Sequence, residues 1–95
     1  MKAWIKIERI PGVLAGAYMK ATAMVIDSYY RPVAQEIVAN LEKGTILDLG
    51  TGPGYLPVEI VKRSPTVNVI GVDLSRKLIE MARSNAAREG LTDRL

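Results

Sequence analysis

The stretch Thr45-Ile-Leu-Asp-Leu-Gly-Thr-Gly-Pro-Gly-Tyr-Leu56 decides the fold. Thr45, Ile46, Leu47 and Leu49 make a short apolar run of the kind a buried strand needs. Beyond it, Leu56, Val58, Ile60 and Val61 are spaced as one side of a helix. Between the two patterns stand Gly50, Gly52 and Gly54, alternate glycines that let the chain turn tightly and bring its backbone close to a ligand. Asp48 precedes them, a carboxylate that a plain phosphate loop does not need. A second apolar run, Val67-Asn-Val-Ile-Gly-Val72, ends at Asp73, nineteen positions past Gly54. An acid at the tip of the next strand is where a nucleotide's ribose hydroxyls are held in open parallel sheets.

The segment Ile46-Leu-Asp-Leu-Gly-Thr-Gly-Pro-Gly-Tyr-Leu56, followed by Val69-Ile-Gly-Val-Asp-Leu-Ser75, closely resembles the class I S-adenosylmethionine-dependent methyltransferases. It most resembles their small-molecule, ubiquinone/menaquinone-biosynthesis branch, and the likeness runs from about Tyr29 to the end. The resemblance implies S-adenosylmethionine as cofactor and a small-molecule methyl acceptor. In that family the cofactor lies across the carboxyl ends of the first strands, with its methionine end over the glycine loop. On that basis Asp48 engages the amino group, directly or through water. Gly50, Gly52 and Gly54 let the backbone close on the methionine and ribose, Asp73 accepts from both ribose hydroxyls, and Leu74 lies against the adenine. Thr51 either contributes a hydroxyl or suits the turn. Tyr18, Tyr29, Tyr30 and Arg31 fall in a region that often forms a lid in this family, although half-buried packing with a polar tip is the simpler account of the tyrosines.

Each acid has a local alternative: Asp48 could cap the glycine turn, and Asp73 could initiate the next helix. A structural cap does not explain why both strand tips carry one, so the pair reads as a ligand site. Methyl transfer is a displacement at a carbon already activated by a sulfonium, and the protein mainly aligns the nucleophile and removes water. No catalytic residue is nameable, because the resembled family supplies its acceptor-binding and catalytic groups further along the chain.

Composition narrows the alternatives. With 95 residues, 48% hydrophobic and 24% charged, the chain is an ordinary globular sequence sized for one small domain. A domain this short buries only about two-thirds of its unfolded surface. Cysteine and histidine are both absent, which excludes a disulfide frame, a thiolate nucleophile, a serine–histidine relay and an ordinary zinc site within these residues; no metal is expected. The net charge of +3 is scattered, without a basic run interleaved with aromatics, so nucleic acid is not an expected partner. The apolar stretch Ile10 to Ile26 is broken by Pro11 and Lys20 and is short for a membrane span; the expected location is the cytoplasm.

Met1 to Ile10 reads equally as strand or helix. A helix is predicted from about Val13 to Ser28, with Leu14, Ala17, Tyr18, Ala21, Met24 and Val25 on its apolar side, followed by a break at Arg31-Pro32. A second helix, about Pro32 to Glu42, buries Val33, Ile37, Val38 and Leu41 and is closed by Gly44 in a left-handed conformation. After strand 45–49 come the glycine loop, a helix to Arg63, strand 67–72, and a helix capped by Ser75 and stopped by Gly90, with Leu78, Ile79, Ala82 and Ala86 inward.

This order implies an α/β fold, the N-terminal part of a doubly wound, Rossmann-like parallel sheet. Residues 1–44 form an N-terminal helical segment placed to act as a lid, and 45–95 an incomplete cofactor-binding strand–loop–helix–strand–helix unit. A two-stranded parallel pair is marginal alone, so self-association or a missing C-terminal half is expected. Two rivals stand beside the methyltransferase: a non-catalytic cofactor-binding or assembly fragment, and an NAD- or FAD-dependent oxidoreductase. The dinucleotide fingerprint wants glycine or alanine where this chain has Tyr55, and Asp48 would repel a pyrophosphate.

Overall fold

The structure, a computed structural model, describes residues 12–94. Its elements follow the predicted order. Helix α1 (Gly12–Val25) passes through a π-helical turn (Ile26–Tyr30) into α2 (Arg31–Asn40). Strand β1 (Gly44–Leu49), helix α3 (Tyr55–Arg63), strand β2 (Val67–Val72) and helix α4 (Arg76–Arg88) come next, and a single 3-10 turn (Thr92–Arg94) closes the described chain. The two strands pair in parallel with Ile46 opposite Val69, Asp48 opposite Gly71 and Leu49 opposite Val72.

Alternation along the strands sets the two faces of this sheet apart. Val67 and Val69 are buried with Ala34 of α2 and Ile60 and Val61 of α3, and Ile37, Val38, Leu41, Ile46 and Leu56 close around them. The opposite face carries Leu47, Leu49, Ile70 and Val72, all exposed. Among the described residues the helices cover one side of the sheet only.

Four expectations need correction. The sequence predicts a break at Arg31-Pro32, whereas Tyr30 keeps helical angles (φ −70°, ψ −39°) and the helix continues. The wider π turn absorbs the proline: the Arg31 N–H reaches back five residues to the Ile26 carbonyl, which accommodates a ring that lacks an N–H and crowds the preceding turn. Gly44 does not cap α2, which ends at Asn40 with an extended Leu41; its φ of +133° instead lets it open β1. Within α2 the fully buried residue is Ala34, while Val33, Ile37 and Val38 are half-buried.

Finally, the apolar side assigned to α1 is not buried where it can be judged. Ala17 and Ala21 are exposed, and Met24 and Val25 expose 68% and 47% of their surface. The helix runs directly into its π-helical continuation and makes no extensive contact with the strands. Residues 1–11, which include the Met1 to Ile10 stretch that reads equally as strand or helix, and the side chains of Leu14 and Tyr18 lie outside the described set.

At the other end the predictions hold. The Ser75 side chain accepts from the Leu78 N–H at 3.2 Å and starts α4. Leu78, Ala82 and Ala86 are buried with Ile79 half-buried, and Gly90 ends the helix at φ +71°.

Candidate functional site

The glycine loop leaves β1 and folds back at once over the end of β2. The N–H groups of Gly50 and Thr51 both donate to the Val72 carbonyl, at 2.7 and 2.9 Å. That reversal requires left-handed backbone: Gly50, Gly52 and Gly54 sit at φ +71°, +58° and +79°. The three glycines differ in what surrounds them. A Cβ on Gly50 or Gly52 would meet nothing within 4 Å, whereas one on Gly54 would lie 2.9 Å from the Ala82 Cβ. The first two therefore face open space above the strand tips, and the third lets the start of α3 press against α4.

Asp73 links the second strand tip to the loop. Its Oδ2 accepts the Gly52 N–H at 2.9 Å and its Oδ1 accepts the Ser75 N–H at 2.8 Å. The bonds from Ser75 and then Gly52 hold its carboxyl below the usual carboxylate range, so it is an anion at neutral pH. An ionised carboxylate offers about four acceptor positions, so these bonds leave room for a further donor. Asp48 is half-buried at the tip of β1, directly opposite Gly71 in the register. Leu74 is fully exposed beside Asp73, an apolar side chain with no protein cover.

Thr51 lies under the loop. It seats against Gly71, where a Cβ would come within 2.7 Å of its Oγ1, and that hydroxyl is buried with no hydrogen-bond partner. The structure thus brings together Asp48, Gly50, Thr51, Gly52, Gly54, Asp73 and Leu74 at the carboxyl ends of β1 and β2.

Sequence reasoning missed two supports of the loop. Asn85 of α4 donates to the Pro53 carbonyl at 2.8 Å, and Gly71 makes room for Thr51. The glycine inside this strand was the one available signal, since glycine inside a strand often marks a close approach.

A cavity of about 710 Å³ lies elsewhere, between β2 and α4, lined by Val69, Ile70, Ile79, Ala82 and Ala86. Of the predicted site residues it touches Thr51 alone. Arg83, Ser84 and Thr92 add polar groups to its mostly apolar lining, but neither strand-tip carboxylate, Asp48 or Asp73, belongs to it.

A family model described as a methyltransferase domain matches residues 40–94, more than half of the chain. The chain belongs to this methyltransferase domain family. Within the family it is 37% identical over 73 residues to a release factor glutamine methyltransferase of Agrobacterium fabrum, covering 77% of this chain and 25% of that protein. It is also 38% identical over 56 residues to a bifunctional methyltransferase of Rickettsia bellii, covering 59% of this chain and 10% of the relative.

A solved structure from Methanococcus maripaludis, provisionally described as an S-adenosyl-L-methionine-dependent methyltransferase, superposes with a TM-score of 0.64 at 28% identity. That match covers 79% of this chain and 36% of the other. This chain therefore spans a quarter or less of the length of either curated relative. Neither is a quinone-biosynthesis enzyme by name, so they lend the narrower branch resemblance no support.

Proposed function

We propose that residues 45–95 are the S-adenosylmethionine-binding part of a methyltransferase, with the helical segment 1–44 as its lid, working in the cytoplasm. One observation carries the reading: a loop with glycine at alternate positions leaves one acidic strand tip and is fastened to the second through the Gly52 N–H and Asp73. The residues present fit the cofactor. The space where a Cβ of Gly50 or Gly52 would stand is open, and the buried Thr51 hydroxyl lacks a partner.

In this reading the acceptor capacity left on Asp73 takes the ribose hydroxyls, matching their donor character. Leu74 supplies an apolar surface for the adenine that costs little to cover, since it is already fully exposed. Asp48 accepts from the amino group, directly or through water. The positive end of α3, beginning at Tyr55, faces the methionine carboxylate. The bound cofactor supplies a methyl carbon already activated by its positive sulfur, so these residues have to hold and orient it, not ionise it.

The resemblance suggested a small-molecule acceptor. A protein acceptor has a specific observation behind it, since the Agrobacterium relative is named for a glutamine of a release factor. A polypeptide glutamine is therefore the acceptor class to test beside small molecules. Nothing in the comparisons favours an oxidoreductase. A cofactor-binding fragment that does not itself transfer methyl groups differs from the proposal only in activity.

Calorimetry with S-adenosylmethionine, S-adenosylhomocysteine and NAD tests the proposal. Binding of the first two without NAD is the expected result, and NAD binding alone would overturn it.

A further inference from the structure

Three of the chain's four tyrosines gather where the glycine loop enters α3. Tyr29 and Tyr30 lie on the π-helical turn, and Tyr55 follows Gly54 as the first residue of α3. The Tyr29 and Tyr30 rings meet edge to face, with centroids 5.0 Å apart and planes at 79°. The Tyr30 and Tyr55 rings lie 5.9 Å apart at 55°. None of the three is part of the hydrophobic core, which is built of aliphatic side chains from α2, α3 and the strands. Tyr29 is 57% exposed, and Tyr30 and Tyr55 are half-buried. Tyr30 and Tyr55 meet where the π turn packs against α3, so the aromatic run links a separate helix to the end of the loop.

Two features hold the run in place. The π turn places one more residue in the helical turn than an α-helix has, and turns of this kind are frequent at functional sites. The second is an ion pair. Arg31, the residue after Tyr30, donates from Nε to Glu59 Oε1 at 2.9 Å, and Glu59 lies one turn beyond Tyr55 in α3. Glu59 is only 4% exposed and is also approached by Lys62 and Arg63. Asp27 pairs with the outer side of Arg31. The two backbones that carry Tyr30 and Tyr55 are thus fastened beside the rings, and the charge of Arg31 is matched locally.

We infer that Tyr30 and Tyr55 form an aromatic wall at the methionine end of the cleft that favours the sulfonium form of the cofactor over its neutral, demethylated product. The inference rests on the proposed cofactor reading. Ring faces attract cations and have no such attraction for a thioether. A wall of this kind contributes to binding before transfer and stops contributing once the positive charge is gone, so it helps the spent cofactor leave.

Calorimetry on the full chain, with S-adenosylmethionine and S-adenosylhomocysteine as separate ligands, tests this. Wild type and Tyr30→Phe, which keeps the ring, should show the same ratio of affinities. Tyr30→Leu should shrink that ratio by about threefold or more through weaker S-adenosylmethionine binding, with S-adenosylhomocysteine little changed. Tyr55→Leu serves as the second variant if Tyr30→Leu does not fold. An unchanged ratio in a folded leucine variant, or equal loss for both ligands, overturns the wall. A wild type that binds neither ligand overturns the cofactor reading itself and the wall with it.

Discussion

The Gly52 N–H donates to Asp73 Oδ2 at 2.9 Å, so the residue proposed to hold the ribose also tethers the glycine loop. Capping and ligand binding are not alternatives at this carboxylate. Its two backbone bonds use one acceptor position on each oxygen and aim the remaining positions, while the loop gains a tether across the strand tips.

Asp73→Ala should therefore do two things. S-adenosylmethionine binding should weaken roughly tenfold or more, as expected when two donors lose a charged acceptor. The loop should also become more mobile, seen as faster amide exchange at Gly52 and Ser75, with the chain still folded. Affinity equal to wild type in the variant would remove Asp73 from the site.

Gly54→Ala should be the costliest of the loop substitutions for stability. It forces a side chain into φ +79° and brings the new Cβ to 2.9 Å from the Ala82 Cβ, two backbone-anchored atoms that cannot swing aside. The left-handed strain alone costs about 1–2 kcal/mol, and crowding in a packed contact about 1–3 kcal/mol more. Gly52→Ala carries only the first penalty, since its Cβ would enter open space. Urea denaturation of the two variants should rank them in that order, and equal stabilities would contradict the packing role of Gly54.

Thr51→Val should leave stability unchanged or raise it by about 1 kcal/mol. The hydroxyl is buried without a partner, and removing an unsatisfied polar group at constant shape relieves its desolvation. A loss of cofactor affinity together with this gain in stability would identify the hydroxyl as a ligand contact.

What the sequence made legible is what backbone geometry imposes on composition. Three alternate glycines could be read because few other residues tolerate the left-handed turns they make, and the strands on either side because aliphatic runs of that length have few other uses. What it hid are long-range partners. Glu59 looks like a solvated helix residue, yet it is 4% exposed among Arg31, Lys62 and Arg63. Arg94 lies near the end of the sequence, yet it donates to the Val61 and Val67 carbonyls at 3.2 and 2.6 Å and also to that of Ser64. Periodicity names the residues able to be buried and does not supply what covers them, which is why Ala17, Ala21, Met24 and Val25 of α1 keep helical spacing yet stay exposed.

Acid should destabilise the chain at pH values set by Asp73 and Glu59. Burial pushes the Glu59 carboxyl up, but the hydrogen bond from Arg31 and the charge of Lys62 outweigh it and hold it below its ordinary value. Asp73 is also depressed. Carboxyls lowered in the folded state add stability that is complete above their unfolded values, about pH 4, and is lost as pH falls through the folded ones. The unfolding midpoint should be flat near neutrality and fall below about pH 4.5. Glu59→Gln should be less stable at pH 7 and lose less on acidification, and an acid limb parallel to wild type would exclude Glu59 as a source.

Leu47 and Ile70 face each other across the parallel pair, as do Leu49 and Val72, on the side of the sheet away from the helices. These four side chains are between 44% and 74% exposed. Parallel sheets are ordinarily covered on both faces, and a contiguous apolar patch drives association in water. The 95-residue chain alone should therefore sediment with a concentration-dependent coefficient, and Leu47→Lys with Ile70→Lys should return it to a single monomeric species. Both positions face solvent, so the double variant should keep the wild-type fold to within about 0.5 kcal/mol per substitution. Wild type that stays monomeric up to high concentration would show that the bare face is tolerated, and the argument from its exposure would fail.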